Sequence, residues 1–66
     1  MKVICNGSCV ELADGATVES LTQKLSLDVR GLAIAVNDAV VSRARWNVHV
    51  LQANDRLTLI RMAQGG

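Results

Sequence analysis

The sequence predicts an α+β fold, a mixed sheet of four to five strands carrying one main helix in the order ββαβ(β)β. Three observations carry that expectation: an Asn6-Gly7 turn between two short β-rich runs, a helical apolar stripe after Asp14-Gly15, and further β-rich runs in the second half. The chain has 66 residues, which limits it to one hydrophobic core. Half of its residues are hydrophobic, enough apolar surface to offset the conformational entropy that keeps polar chains disordered. A domain this small buries a modest share of its surface, so the deep, water-excluding pocket of an enzyme is not expected.

Lys2 to Asn6 is rich in β-formers, and Asn6-Gly7 suits a type I′ turn, whose two central residues both need positive φ. In Ser8 to Ala13, Val10 and Leu12 alternate with Cys9 and Glu11, so a second strand follows with Val10 and Leu12 inward. Asp14-Gly15 breaks that strand. Thr17 is placed to cap a helix whose positive end Glu19 complements, and Val18, Leu21 and Leu25 form its apolar stripe over two to three turns. Leu32 to Val36 is a continuous apolar run bounded by Gly31 and Asn37-Asp38, as in a strand buried on both faces in the middle of a sheet. Val40-Val41 then forms a short strand or edge segment. Ser42 to Asn54 reads as a loop with at most a helical turn, packed through Trp46, Val48, Val50 and Leu51. From Arg56 to Met62 the pattern alternates again, with Leu57 and Leu59 on one face and Thr58, Ile60 and Met62 on the other. One helix crossing such a sheet is the β-grasp architecture. Residues 1–62 are expected to form this domain, and residues 63–66 a flexible Gly-Gly tail.

Composition excludes several classes. A net charge of +1 and a single aromatic residue leave neither the basic patch nor the stacking platform of a nucleic-acid binder. No apolar run approaches the length of a membrane span, and no secretory leader pattern precedes the first strand. Cys5 and Cys9 are spaced neither as a redox pair nor as half of a zinc site, and two free thiols point to the cytoplasm. Cys5 shares the register of Val3 and reads as a core residue, whereas Cys9 lies out of register with Val10 and Leu12 and should be exposed. His49, alone, makes neither a triad nor a metal site. The charge is unevenly spread, since Arg43, Arg45, Arg56 and Arg61 face only Asp55 after residue 38. That basic half is either an ordinary solvated surface or a surface steering an acidic partner.

The chain ends in Ala63-Gln64-Gly65-Gly66 directly after a strand, and a terminal glycine pair arises by chance in only about 0.5% of chains at average glycine usage. Glycine lacks a Cβ, so such a pair threads a narrow channel and leaves its acyl carbon open to attack. A carboxylate is a poor electrophile, but as an acyl adenylate it carries a leaving group that a sulfur nucleophile displaces. That chemistry belongs to a partner, because the sequence has no phosphate-binding glycine loop and no catalytic constellation. From Met62 to Gly66 the tail can extend roughly 15 Å beyond the sheet, at about 3.3 Å per residue.

The short first strand ending at Asn6, the Asp14-Gly15-Ala16-Thr17-Val18 approach to the helix, Ala33-Ile34-Ala35-Val36-Asn37, Arg43, Trp46, the Asn54-Asp55-Arg56-Leu57 turn and Gly65-Gly66 together resemble the ThiS family over the whole length. These are the sulfur carriers of thiamin thiazole biosynthesis, with a β-grasp fold shared with ubiquitin. The resemblance implies that a ThiF-like adenylyltransferase consumes ATP to adenylate Gly66, that a sulfur donor enzyme leads to a thiocarboxylate, and that a ThiG-like thiazole synthase receives the sulfur. The chain would then be a co-substrate and not an enzyme, with no bound cofactor or metal. Ser42 departs from the proline frequent in the family, and Phe and Tyr are absent. A molybdopterin-synthase small subunit and a ubiquitin-like modifier are the alternatives.

Gly66 is thus the expected site of modification, Gly65 and Gln64 give access to it, and Ile60, Arg61 and Met62 are candidate partner-binding residues. For Ile60 and Met62 the competing reading is ordinary sheet surface; for Arg61 the functional reading is pairing with an acidic partner group. Trp46 reads as a structural plug on the connection rather than an interface anchor. A sulfur relay through Cys9 is not needed, since the terminal carboxylate already supplies the acceptor.

Overall fold

The computed structural model describes residues 1–62, arranged as β1 (Lys2–Cys5), β2 (Ser8–Glu11), α1 (Val18–Lys24), β3 (Leu32–Val36), β4 (Ala39–Val41), a 3₁₀ turn (Arg43–Arg45) and β5 (Arg56–Arg61). Two hairpins form the flanks of one sheet. Asn6 and Gly7 take φ of 47° and 84°, and Asn37 and Asp38 take 49° and 72°, the left-handed pairs that a tight turn between right-twisted strands requires. β1 therefore pairs with β2, and β3 with β4, both antiparallel.

The helix crossover keeps the two hairpins apart, and β5 fills the gap in the order β2-β1-β5-β3-β4. It runs parallel to β1 and antiparallel to β3, with Ile34 opposite Leu59 and Leu32 opposite Arg61. The expected mixed sheet of four to five strands with one main helix is found, with five strands. One detail is corrected: β3 is interior, but the central strand is β5. Only one face of β3 lies under the helix, and the opposite positions are filled by Ala33 and Ala35.

The core lies between that face and α1, where Val3, Cys5, Val18, Leu21, Ile34, Val36, Leu51 and Leu57 are buried. Thr17 caps α1 as expected. Its hydroxyl accepts from the Ser20 backbone N–H at 3.2 Å, and the Ser20 side chain closes the reciprocal half of the capping box on the Thr17 N–H. Val18 and Leu21 are buried, but Leu25 is 37% exposed. The helix ends at Lys24 with Leu25 as its cap, and Ser26 turns left-handed at φ 52°, so the i+7 position never returns to the core face. Leu27 packs against the core after the turn.

The Ser42–Asn54 connection is more ordered than a loop reading implies. Its 3₁₀ turn directs Trp46 and Leu51 inward, while Val48 and Val50, expected to pack, are exposed. Its carbonyls also take up donors that the first turn of α1 leaves unpaired: Val18 N–H donates to His49 O at 3.1 Å and Glu19 N–H to Trp46 O at 3.0 Å. Trp46 donates its indole N–H to Val41 O at 3.0 Å, and the Arg43 guanidinium sits 4.6 Å from the ring centre. Trp46 is therefore the plug that the sequence suggested. Cys5 is buried, which pushes its thiol pKa up, and Cys9 is exposed. No described helix is long and apolar enough to cross a membrane.

Candidate functional site

The candidate site is the end of β5, where the central strand leads toward the glycine pair. Gln64, Gly65 and Gly66 lie outside the described residues, so the site is built from what precedes them. Strand alternation sends Leu57, Leu59 and Arg61 toward the helix side and Thr58, Ile60 and Met62 to the open face. Ile60 is 46% and Met62 55% exposed. Beside them on the same face are Ala33, directly opposite Ile60, and the Ala35–Val40 pair, Ala35 lying opposite Thr58. The two apolar residues singled out in the sequence thus belong to a wider apolar sheet surface. The period-2 pattern exposed Ile60 and Met62; their companions became visible only once the strand order was known.

Arg61 is not part of that surface. It lies at the far end of the helix side, where its Nη1 donates to Asp28 O at 2.7 Å and Arg30 O at 3.1 Å. The next backbone group, Met62 N–H, donates to Gly31 O at 2.7 Å. Arg43 donates to Val29 O from the other side. All four carbonyls from Asp28 to Gly31 are therefore occupied, three of them by donors on the connection to the tail or the tail-bearing strand's last residues.

Asp28 and Arg30 add a forked ion pair, with Arg30 Nε and Nη2 on the two carboxylate oxygens at 3.1 and 3.0 Å. The Arg30 side chain, and then its backbone N–H, hold the Asp28 carboxyl at about 2, below its ordinary 3.8, and the pairing raises the Arg30 pKa in turn. A cleft of about 420 Å³ opens among Asp28, Arg30, Arg61 and Met62. The sequence reading missed this turn, because nothing local to Asp28–Gly31 tells which distant strand will end against it. Among the described residues there is no cluster of three or more His, Cys, Asp or Glu side chains arranged for a metal.

Comparison with known proteins fits this geometry. The ThiS family model matches residues 3–66. The sulfur carrier protein ThiS of Escherichia coli K12 is 32% identical over 66 residues, covering the whole of both chains. A thiazole synthase of Magnetococcus marinus is 33% identical over the same 66 residues, all of this chain but 20% of that protein. In structure, the crystal structure of the thiamine biosynthesis protein ThiS from Geobacter metallireducens superposes with a TM-score of 0.87 at 19% identity, covering both chains fully. A solution structure of a thiamine biosynthesis protein from that organism gives 0.76 at 22% identity, covering 88% of that chain. The two structures speak for the fold, which is ubiquitin-like; the family match and the full-length relative speak for descent, and on these grounds the chain belongs to the ThiS family.

Proposed function

We propose that this chain is a sulfur carrier for thiazole formation in thiamin biosynthesis, with residues 1–62 as a docking domain and residues 63–66 as the tail that carries the chemistry. The observation that carries this reading is the 32% identity to the Escherichia coli sulfur carrier over the whole of both chains, an alignment that extends across positions 65 and 66. In the proposed cycle a carboxylate oxygen of Gly66 attacks the α-phosphorus of ATP on a ThiF-like adenylyltransferase, and pyrophosphate leaves. Sulfur delivered at the sulfide level by a donor enzyme then attacks the acyl carbon, and AMP leaves. The resulting thiocarboxylate is a good nucleophile and passes its sulfur to a sugar-phosphate-derived intermediate on a ThiG-like thiazole synthase. The sulfur bonds to a carbonyl carbon of that intermediate, the carbonyl oxygen passes to the acyl carbon as the acyl C–S bond breaks, and Gly66 returns as a carboxylate. The chain is consumed and reloaded, as a co-substrate in the cytoplasm.

Gly65 and Gln64 serve access to the partner's channel. Ile60 and Met62 supply the exposed apolar surface beside the tail, a place for partner docking. The thiazole branch, rather than the molybdopterin branch or protein modification, is favoured by the Magnetococcus marinus relative, a thiazole synthase that contains a segment similar to this whole chain.

The test is intact-mass measurement after incubation with a ThiF-type partner, ATP and a sulfur donor. The expected result is the mass gain of one oxygen replaced by one sulfur, located at Gly66. Equal loading of a chain shortened to Gly65 would defeat the proposal, and copurification with a molybdopterin-synthase large subunit in place of thiazole synthase would redirect it.

A further inference from the structure

We infer that Arg61 is a positioning residue for the tail: by clasping the Asp28–Gly31 turn it fixes the point from which Gly66 reaches a partner's nucleotide. This rests on the carrier reading above.

The sheet ladder between β3 and β5 ends at the Leu32–Arg61 pair, so strand pairing holds nothing beyond Arg61. Two restraints remain there, the Arg61 guanidinium on Asp28 O and Arg30 O and the Met62 N–H on Gly31 O. They act on successive residues of β5's end and on one turn. That turn is itself held by Arg43 on Val29 O and by the Asp28–Arg30 pair, so the clasp closes on an ordered anchor. A planar guanidinium suits the task, because one nitrogen reaches two carbonyl oxygens without a counter-ion being needed.

Its placement separates this role from docking. Ile60 and Met62 present the exposed apolar face, while Arg61 reaches to the helix side of the sheet. Loss of the clasp should leave docking intact and widen the range of directions in which the following residues start. The local concentration of the Gly66 carboxylate at the partner's ATP then falls, as it does whenever a tethered group is less well aimed. The consequence is a lower rate of acyl adenylate formation within the docked complex.

The experiment measures ATP-dependent pyrophosphate release by a ThiF-type adenylyltransferase with full-length wild-type, Arg61→Ala and Arg61→Lys carriers. For Arg61→Ala we expect kcat to fall by about tenfold or more, with KM for the carrier within about twofold of wild type. Arg61→Lys, which keeps a donor within reach of the turn, should recover most of the rate. Amide hydrogen exchange on the free carriers should show faster exchange at Met62 in Arg61→Ala, with an unchanged melting temperature. Wild-type kcat in Arg61→Ala, or unchanged protection at Met62, overturns the inference. So does a defect confined to KM that shrinks as salt is raised, since that would make Arg61 a pairing partner for an acidic group. A wild-type chain that releases no pyrophosphate defeats the carrier reading itself; an active wild type with an equally active Arg61→Ala defeats the clasp alone.

Discussion

Asn6 and Asn37 brace the central strand from its two sides. Each sits in a hairpin turn at positive φ, where asparagine is tolerated, and each uses its side chain to continue a ladder the backbone has left. Asn6 Oδ1 accepts from Leu59 N–H at 2.8 Å, and Asn37 Oδ1 accepts from Arg56 N–H at 2.9 Å while its Nδ2 donates to Asp55 Oδ1 at 2.9 Å. The sequence marked both residues as turn formers, but glycine would serve a turn as well. Only the structure shows why asparagine stands there. Asn6→Gly should keep the turn and lose the bond, costing about 1 kcal/mol in urea unfolding at unchanged m-value, whereas Asn6→Asp keeps an acceptor and should cost less. Asp28 offers a second check at this scale. Its folded pKa lies below its ordinary value, so the pairing with Arg30 is fully present above about 3.8 and is lost as pH falls through about 2. Carboxyl titration followed by NMR should show that low midpoint, and Arg30→Ala should return it toward 3.8.

At the scale of elements, α1 is short and depends on its ends. A helix of seven residues gains little from its own hydrogen bonds, so capping and burial decide whether it forms. Thr17→Ala removes the acceptor for the Ser20 N–H and should cost about 1 kcal/mol, read as a lower melting temperature. The remaining first-turn donors stay bonded to Trp46 O and His49 O, so the loss should not reach the whole helix. What was legible in the sequence follows the same division. Thr17, the two hairpin turns and the alternation of β5 are local signals and were read correctly. The order of the Ser42–Asn54 connection, the early end of α1 before Leu25 and the central place of β5 depend on contacts between distant segments, which no window of the sequence contains. The candidate site divides likewise: exposure of Ile60 and Met62 follows from period, but the partner of Arg61 is a turn some thirty residues away.

At the scale of the molecule, the one helix covers one sheet face and leaves the other, with Ile60, Met62, Val40 and Ala33, uncovered. Because β5 is paired on both sides, a partner seated on that face also holds the strand that leads to the tail. In the proposed carrier cycle, docking and delivery would then be mechanically linked but chemically separate, and a substitution at Ile60 distinguishes them. Ile60→Thr keeps the β-branched shape that strands favour, so the melting temperature should stay near wild type, while the apolar surface is broken. Ile60→Asp adds a charge that a dry contact would have to desolvate. With a ThiF-type partner, KM for the carrier should rise about tenfold in Ile60→Thr and further in Ile60→Asp, with kcat retained. This is the reverse of the pattern expected for Arg61→Ala. If both Ile60 variants are adenylated with wild-type KM, the open face is not where this partner docks, and the contact must be sought on the helix side around Arg30 and Arg61.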